Sequence, residues 1–238
     1  MGQRGVTPVP APNAENGRLR VAAERRDRMR ARLLETVLAL YQPGRDNAAL
    51  VIDDVIRAAD VSRGTFYKYF QSIEQAVDEL GENLTGGMVA DFRALFAAES
   101  DPAVLAIGGS AMTMLRAWHD PRWGGFTCRV DYVDYFARAS ALDALVRDAL
   151  CAARDSGQMR FGSLDVAVDL IVGMTVEARR RLIRAPESPL GYIDEMLACT
   201  FAGLGMEPVV FARARNSAFA RISEGAGSLL WWSTDLAA

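Results

Sequence analysis

The segment Ile52–Phe70 constrains this chain more than any other, because its residues demand two short helices around a four-residue turn. Ile52, Val55, Ile56 and Ala59 recur at helical spacing and form one apolar face. Asp53 and Asp54 fall in the first turn, where the helix dipole favours negative charge. Ala59-Asp60-Val61-Ser62 then breaks the pattern: aspartate tolerates the left-handed backbone of a tight turn, and serine is a strong N-cap. Val61 is placed to plug the crevice between the helices. A projection at about 100° per residue puts Phe66 and Phe70 on one side of the next helix and Gly64, Thr65 and Lys68 on the other. Tyr67 and Tyr69 sit on the flanks, and Arg63 projects from the N-terminal end. An aromatic inner set and a small, polar or basic outer set suit the groove-entering helix of a helix-turn-helix. An amphipathic helix of an ordinary bundle is the other reading of the same pattern.

The neighbours of this unit are helical too. Met29, Leu33, Leu34, Val37, Leu38 and Tyr41 mark one face of a first helix from Glu24, which Pro43-Gly44 ends. Ser72 opens a fourth helix, with Gln75 placed for a capping box. Beyond it nothing alternates with the period of a strand, and helices are expected at 72–98, 102–118, 129–155, 163–184, 188–204 and 208–222. The fold class is all-α. The expected division is a disordered, basic-ended tail (1–22), a three-helix helix-turn-helix domain (23–71), a larger helical ligand-binding and dimerisation domain (72–205) and a C-terminal extension (206–238).

Charge is unevenly spread. Residues 1–70 carry 12 Lys+Arg against 8 Asp+Glu, and residues 71–238 carry 15 against 22, so a basic first third sits on an acidic body. A polyanion would be met at the N-terminus. Arg18, Arg20, Arg25, Arg26, Arg28, Arg30 and Arg32 read either as a solvated helix start or as a flexible basic arm on phosphates or in a minor groove. No apolar run is long enough for a membrane span and Met1–Arg20 lacks a signal-peptide core, so a cytoplasmic protein is expected. Cys128, Cys151 and Cys199 are scattered and His119 is the sole histidine, which argues against a disulfide framework, a metal site or any cofactor. Phosphate-loop and nucleophile-elbow patterns are missing, and a Cys128–His119 dyad has nothing to position it, so no enzyme is expected.

The string Ala59-Asp60-Val61-Ser62-Arg63-Gly64-Thr65-Phe66-Tyr67-Lys68-Tyr69-Phe70 closely resembles the signature of the tetracycline-repressor (TetR) family. That pattern runs A-G-V-S-x-G-T-hydrophobic-Y-x-H/Y-F, then a short step to a Ser-initiated helix, as at Ser72. Residues 29–80 carry the likeness; the body matches only as a helical domain of suitable length ending in Leu204-Gly205-Met206-Glu207-Pro208. The resemblance implies a homodimer on a palindromic double-stranded operator, more often a repressor than an activator, released by a small-molecule effector. It places Arg63, Gly64 and Lys68 against bases and Thr65, Tyr67 and Tyr69 against phosphates, with Ser62 in the same DNA-binding set. Three positions depart from the pattern: Gly44-Arg45 in the step after the first helix, Val51 (after Leu50) where a hydroxyl residue caps the second helix, and Ile73 where a basic residue is usual.

In the body, the resemblance assigns dimerisation to the last two long helices. Their apolar stripes are Val168, Ile171, Val172 and Val176, and Ile193, Met196, Leu197, Thr200 and Leu204, with Gly173, Ala198, Ala202 and Gly203 allowing close crossing. Burial of the monomer's own core is the other use of those stripes. Met112, Trp118, His119, Trp123, Phe126, Tyr132 and Phe136 are the expected lining of a largely apolar ligand pocket, or else plain core. Leu229-Leu230-Trp231-Trp232 packs on the body or docks a protein partner, the latter making a partner-responsive regulator the runner-up.

Overall fold

The computed structural model describes residues 12–40, 50–128, 141–184 and 188–232, all helices and connections. α1 spans Pro12–Leu40, α2 Ile52–Ala58 and α3 Arg63–Tyr67. α1 buries Leu33, Leu34, Val37 and Leu38 against Val55, Ala59, Phe66 and Phe70, so the three helices share one small core. One feature differs from the sequence reading. The tail expected to lack structure is helical from Pro12, so the boundary expected at residue 22 falls inside a continuous helix. Tyr41, Pro43, Gly44 and Arg45 lie outside the described residues.

Local chemistry explains the turn. Asp60 adopts φ 49°, the left-handed region in which aspartate is tolerated and glycine is easiest. Ser62 then caps α3, its hydroxyl accepting from the Thr65 N–H at 3.0 Å. Val51 caps α2 without a side-chain bond, as its apolar side chain requires. α4 (Ile73–Leu95) starts at Ser72, whose hydroxyl accepts from the Gln75 N–H at 3.2 Å. The Gln75 amide oxygen reaches back one residue further than a capping box does, to the Gln71 N–H at 2.6 Å.

α5 (Pro102–His119) is the axis of the body and is buried around nearly its whole circumference, as a helix apolar on all sides must be. α4, α6 (Pro121–Thr127), α7 (Ala141–Asp155), α8 (Leu164–Leu182), α9 (Leu190–Gly203) and α10 (Pro208–Gly225) pack around it. α6 lies in the gap between the helices expected at 102–118 and 129–155. Asp120 accepts from the Trp123 N–H at 3.2 Å, Pro121 occupies the first turn, where its missing N–H costs nothing, and Gly124 lies flat against Ala117 and Ile183. α7 is the described part of the helix expected over 129–155. After α10 a 3₁₀ turn, Ala226–Ser228, leads to Trp231 and Trp232, which pack on the body. No helix of the described residues is long and apolar enough to cross a membrane.

Candidate nucleic-acid interface and ligand cavity

Phe66 and Phe70 are sealed into the N-terminal core, 0% and 1% exposed, with ring centroids 5.6 Å apart. That burial fixes the rotation of α3 and turns Gly64, Tyr67 and Lys68 to solvent. Thr65 and Tyr69 are half-buried. Three of the polar groups are already engaged: Arg63 forms an ion pair with Asp53, which raises the guanidinium pKa further, and the Ser62 hydroxyl lies 2.8 Å from that of Thr65. Two arginines expected in a basic arm instead brace this domain. Arg30 pairs with Glu79, donates to the Tyr69 carbonyl at 3.0 Å and lies 4.6 Å over the Phe70 ring. Arg32 donates to the Ala59 carbonyl at the turn.

The body encloses a cavity of about 360 Å³ between α4, α5, α6, α7 and α8. Its wall is mostly apolar, with Met88 and Phe92 from α4, Leu145 and Val146 from α7 and Ile171 and Val172 from α8. Small residues of α5, Ala106, Gly109, Ser110 and Thr113, leave the room. The hydroxyls around it donate to their own helices: Thr85 to Gly81 O, Ser110 to Ala106 O, Thr113 to Ser110 O, Thr127 to Trp123 O and Thr175 to Ile171 O, at 2.7–3.0 Å. Charged groups reach it from Asp143, which accepts from Arg147 at 3.0 Å, and from Arg179, which lies 5.6 Å from the Trp123 ring. Among the described residues no group of three or more His, Cys, Asp or Glu is placed to hold a metal ion.

Of the residues expected to line a pocket, Trp123 alone does so among those described; Tyr132 and Phe136 lie outside them. Met112 faces the body core away from the cavity, and Phe126 closes the N-terminal core. Trp118 and His119 belong to an aromatic cluster with the C-terminus, where His119 and Trp232 have centroids 4.2 Å apart. Burial there lowers the His119 pKa. The Cys128 thiol, whose pKa burial raises, donates instead to the Val176 carbonyl at 3.6 Å. The cavity residues that sequence reasoning missed had one signal, the small-residue stripe along α5.

Residues 45–80 match the family model described as "Bacterial regulatory proteins, tetR family". Residues 45–80 thus carry a TetR-type helix-turn-helix. The chain's fold is similar to the crystal structure of RolR in complex with resorcinol, at 25% identity over 82% of this chain and 95% of that one, with a TM-score of 0.59. RolR without ligand aligns at 23% identity over 79% and 96%, TM-score 0.58. A gamma-butyrolactone receptor (ArpA-like protein) aligns at 14% identity over 84% and 98%, TM-score 0.59, a likeness of fold. No curated protein matches the sequence at a significant level.

The cavity and the helix-turn-helix domain share one helix. α6 puts Trp123 on the cavity wall and, one turn later, Phe126 among Leu33, Val37, Phe66 and Phe70. Arg122 ties the same helix to Glu35 of α1 at 2.6 Å. The stripes expected at a dimer interface turn inward instead. Val168, Ile171, Val176, Ile193, Leu197, Thr200 and Leu204 are buried in the monomer, and Val172 and Met196 are half-buried, because both helices are needed to cover the chain's own core. The solvent face of α8 and α9 carries Val166, Gly173, Cys199, Ala202 and Gly203, with Leu170, Met174 and Ala198 partly exposed.

Proposed function

We propose that this regulator is a cytoplasmic homodimer that holds a palindromic operator through α3 and releases it when a small, largely apolar molecule fills the cavity. Arg63, Gly64 and Lys68 meet base edges, Arg63 exchanging Asp53 for a base, while Thr65, Tyr67, Tyr69 and the Ser62 end of the helix meet the backbone. The dimer forms through the outward face of α8 and α9, where small residues permit close approach. The single observation that carries the release mechanism is α6. A ligand that displaces Trp123 moves the same rigid turn that seats Phe126, and so re-aims the two recognition helices away from the spacing of about 34–36 Å that adjacent major grooves demand. The likeness to a regulator solved with resorcinol supports an apolar ring with a few polar atoms as the ligand class. The packing of Trp231 and Trp232 on the body favours a small molecule over a protein docked at that segment.

The test is selection of duplexes by the purified chain from a library of randomised palindromes, followed by a thermal-shift screen of small aromatic alcohols on the protein. Expected are an enriched two-fold symmetric site bound by a dimer, and a compound that both stabilises the protein and weakens that complex. Enrichment of no symmetric site, or stabilising compounds that leave the complex intact, rejects the reading.

A further inference from the structure

The N-terminal half of α1 has a chemistry that the helix-turn-helix does not explain. Residues 16–32 hold seven arginines and two acids, a net of +5 on a chain whose total is −3. Arg18, Arg25 and Arg32 recur every seven residues and, with Arg28, line a groove whose other wall is Lys68 and Tyr69 at the end of α3. Every side chain from Arg18 to Arg28 is exposed, Leu19 and Val21 included. Arg20 pairs with Glu24, and Arg30 and Arg32 brace the domain. Arg18, Arg25, Arg26 and Arg28 form no ion pair with a described residue.

Left to itself such a helix is penalised. Arginines three and four residues apart, Arg25 with Arg28 and Arg28 with Arg32, repel, and no apolar face docks this stretch on the core. A row of phosphates reverses the sign of that repulsion. We propose that the N-terminal half of α1 is a second DNA-contacting element, laid along the phosphate backbone beside the half-site, with Arg18, Arg25 and Arg28 each neutralising about one phosphate. The proposal rests on the reading that α3 enters the major groove, since Lys68 and Tyr69 bring the arginines to the flanking strand. The fourteen residue steps from Arg18 to Arg32 span about 21 Å of helix, the rise of about six base pairs. A helix about 10 Å across does not enter a minor groove about 6 Å wide, so the contact is with phosphates and carries no sequence preference.

The experiment measures the salt dependence of binding of the full chain to a fluorescent mixed-sequence duplex of about 40 bp, between about 50 and 300 mM salt. With three contacts in each protomer of the dimer, the R18A/R25A/R28A variant is expected to lose about 5 from the slope of log K against log[salt], at about 0.9 per phosphate contact. R18K/R25K/R28K keeps the slope, because a point charge suffices at a phosphate. The R93A/R184A variant, which removes exposed arginines of the body, leaves the slope unchanged. Wild-type binding with the same slope in R18A/R25A/R28A overturns the proposal and leaves the role of α3 standing, as does a slope lost equally in the lysine variant. Wild-type protein that binds no duplex overturns both.

Discussion

Replacing Gly124 with alanine tests whether α6 is held as tightly as its proposed coupling role requires. A methyl group there would overlap Ile183 Cγ2 and come within 3.0 Å of Ala117 Cβ and 3.1 Å of Ala117 Cα. Ordinary carbon contacts are about 3.5–4.0 Å, so α6 must move off α5 by several tenths of an ångström or more. Neither neighbour yields easily: Ala117 has no rotamer to change, and Ile183 is β-branched and stiff. Overpacking of this kind costs about 1–3 kcal/mol, against which the better helix propensity of alanine returns about 0.5–1 kcal/mol. The expected net is a loss of about 1–2 kcal/mol, or about 2–8 °C in melting temperature for a chain of this size. Gly86→Ala is the internal control. It lies in α4 with nothing within 4 Å of the added atom, so the same substitution there gains about 0.5–1 kcal/mol. Melting both variants beside the wild type, and titrating each onto the selected operator, gives opposite signs in stability and a loss of affinity for Gly124→Ala alone. Equal upward shifts at both sites would refute the packing argument, and unchanged operator binding despite a lowered melting temperature would refute the coupling.

Lys68→Ala is expected to relax sequence preference and Tyr67→Phe to weaken all sequences alike, measured by repeating the selection with each variant; the reverse outcome means that α3 is rotated in the groove. Burial depresses the His119 pKa, so below the ordinary imidazole range the unfolded chain binds the extra proton and the fold does not. That part of the stability is present above the unfolded pKa and lost as pH falls, and His119→Phe should flatten the acid side of a melting-temperature profile. Trp231→Phe keeps an aromatic ring, though a smaller one, and removes the 2.7 Å bond to Asp91; a loss of at least about 1.5–3 kcal/mol in urea unfolding is expected for a bond to a carboxylate. Asp60→Val places a β-branched residue at φ 49° and should cost about 1–2 kcal/mol in the same assay.

Sequence reasoning succeeded where the forces are short-range. The turn at Asp60, the caps at Ser62 and Ser72 and the opposed faces of α3 each depend on residues within one helical turn of each other, and each is found in the structure. It failed where a face has two possible partners. Ile171 and Leu197 have the periodicity of a dimer seam, but periodicity marks a face as apolar without naming what covers it, and α5 of the same chain does. Trp118, Trp123 and Phe126 are close in sequence, yet α5 and α6 send them to three different surroundings.

From residue order alone came an all-helical chain, a helix-turn-helix with its aromatic side inward, and a basic front on an acidic body. Those follow from backbone geometry, capping and charge count, which act locally and survive in any arrangement of the remaining helices. The position of the cavity, the bracing roles of Arg30 and Arg32 and the bridge through α6 came from packing. Each depends on residues 27 to 87 positions apart, or on helices meeting across α5, and the chain must close on itself before such contacts exist.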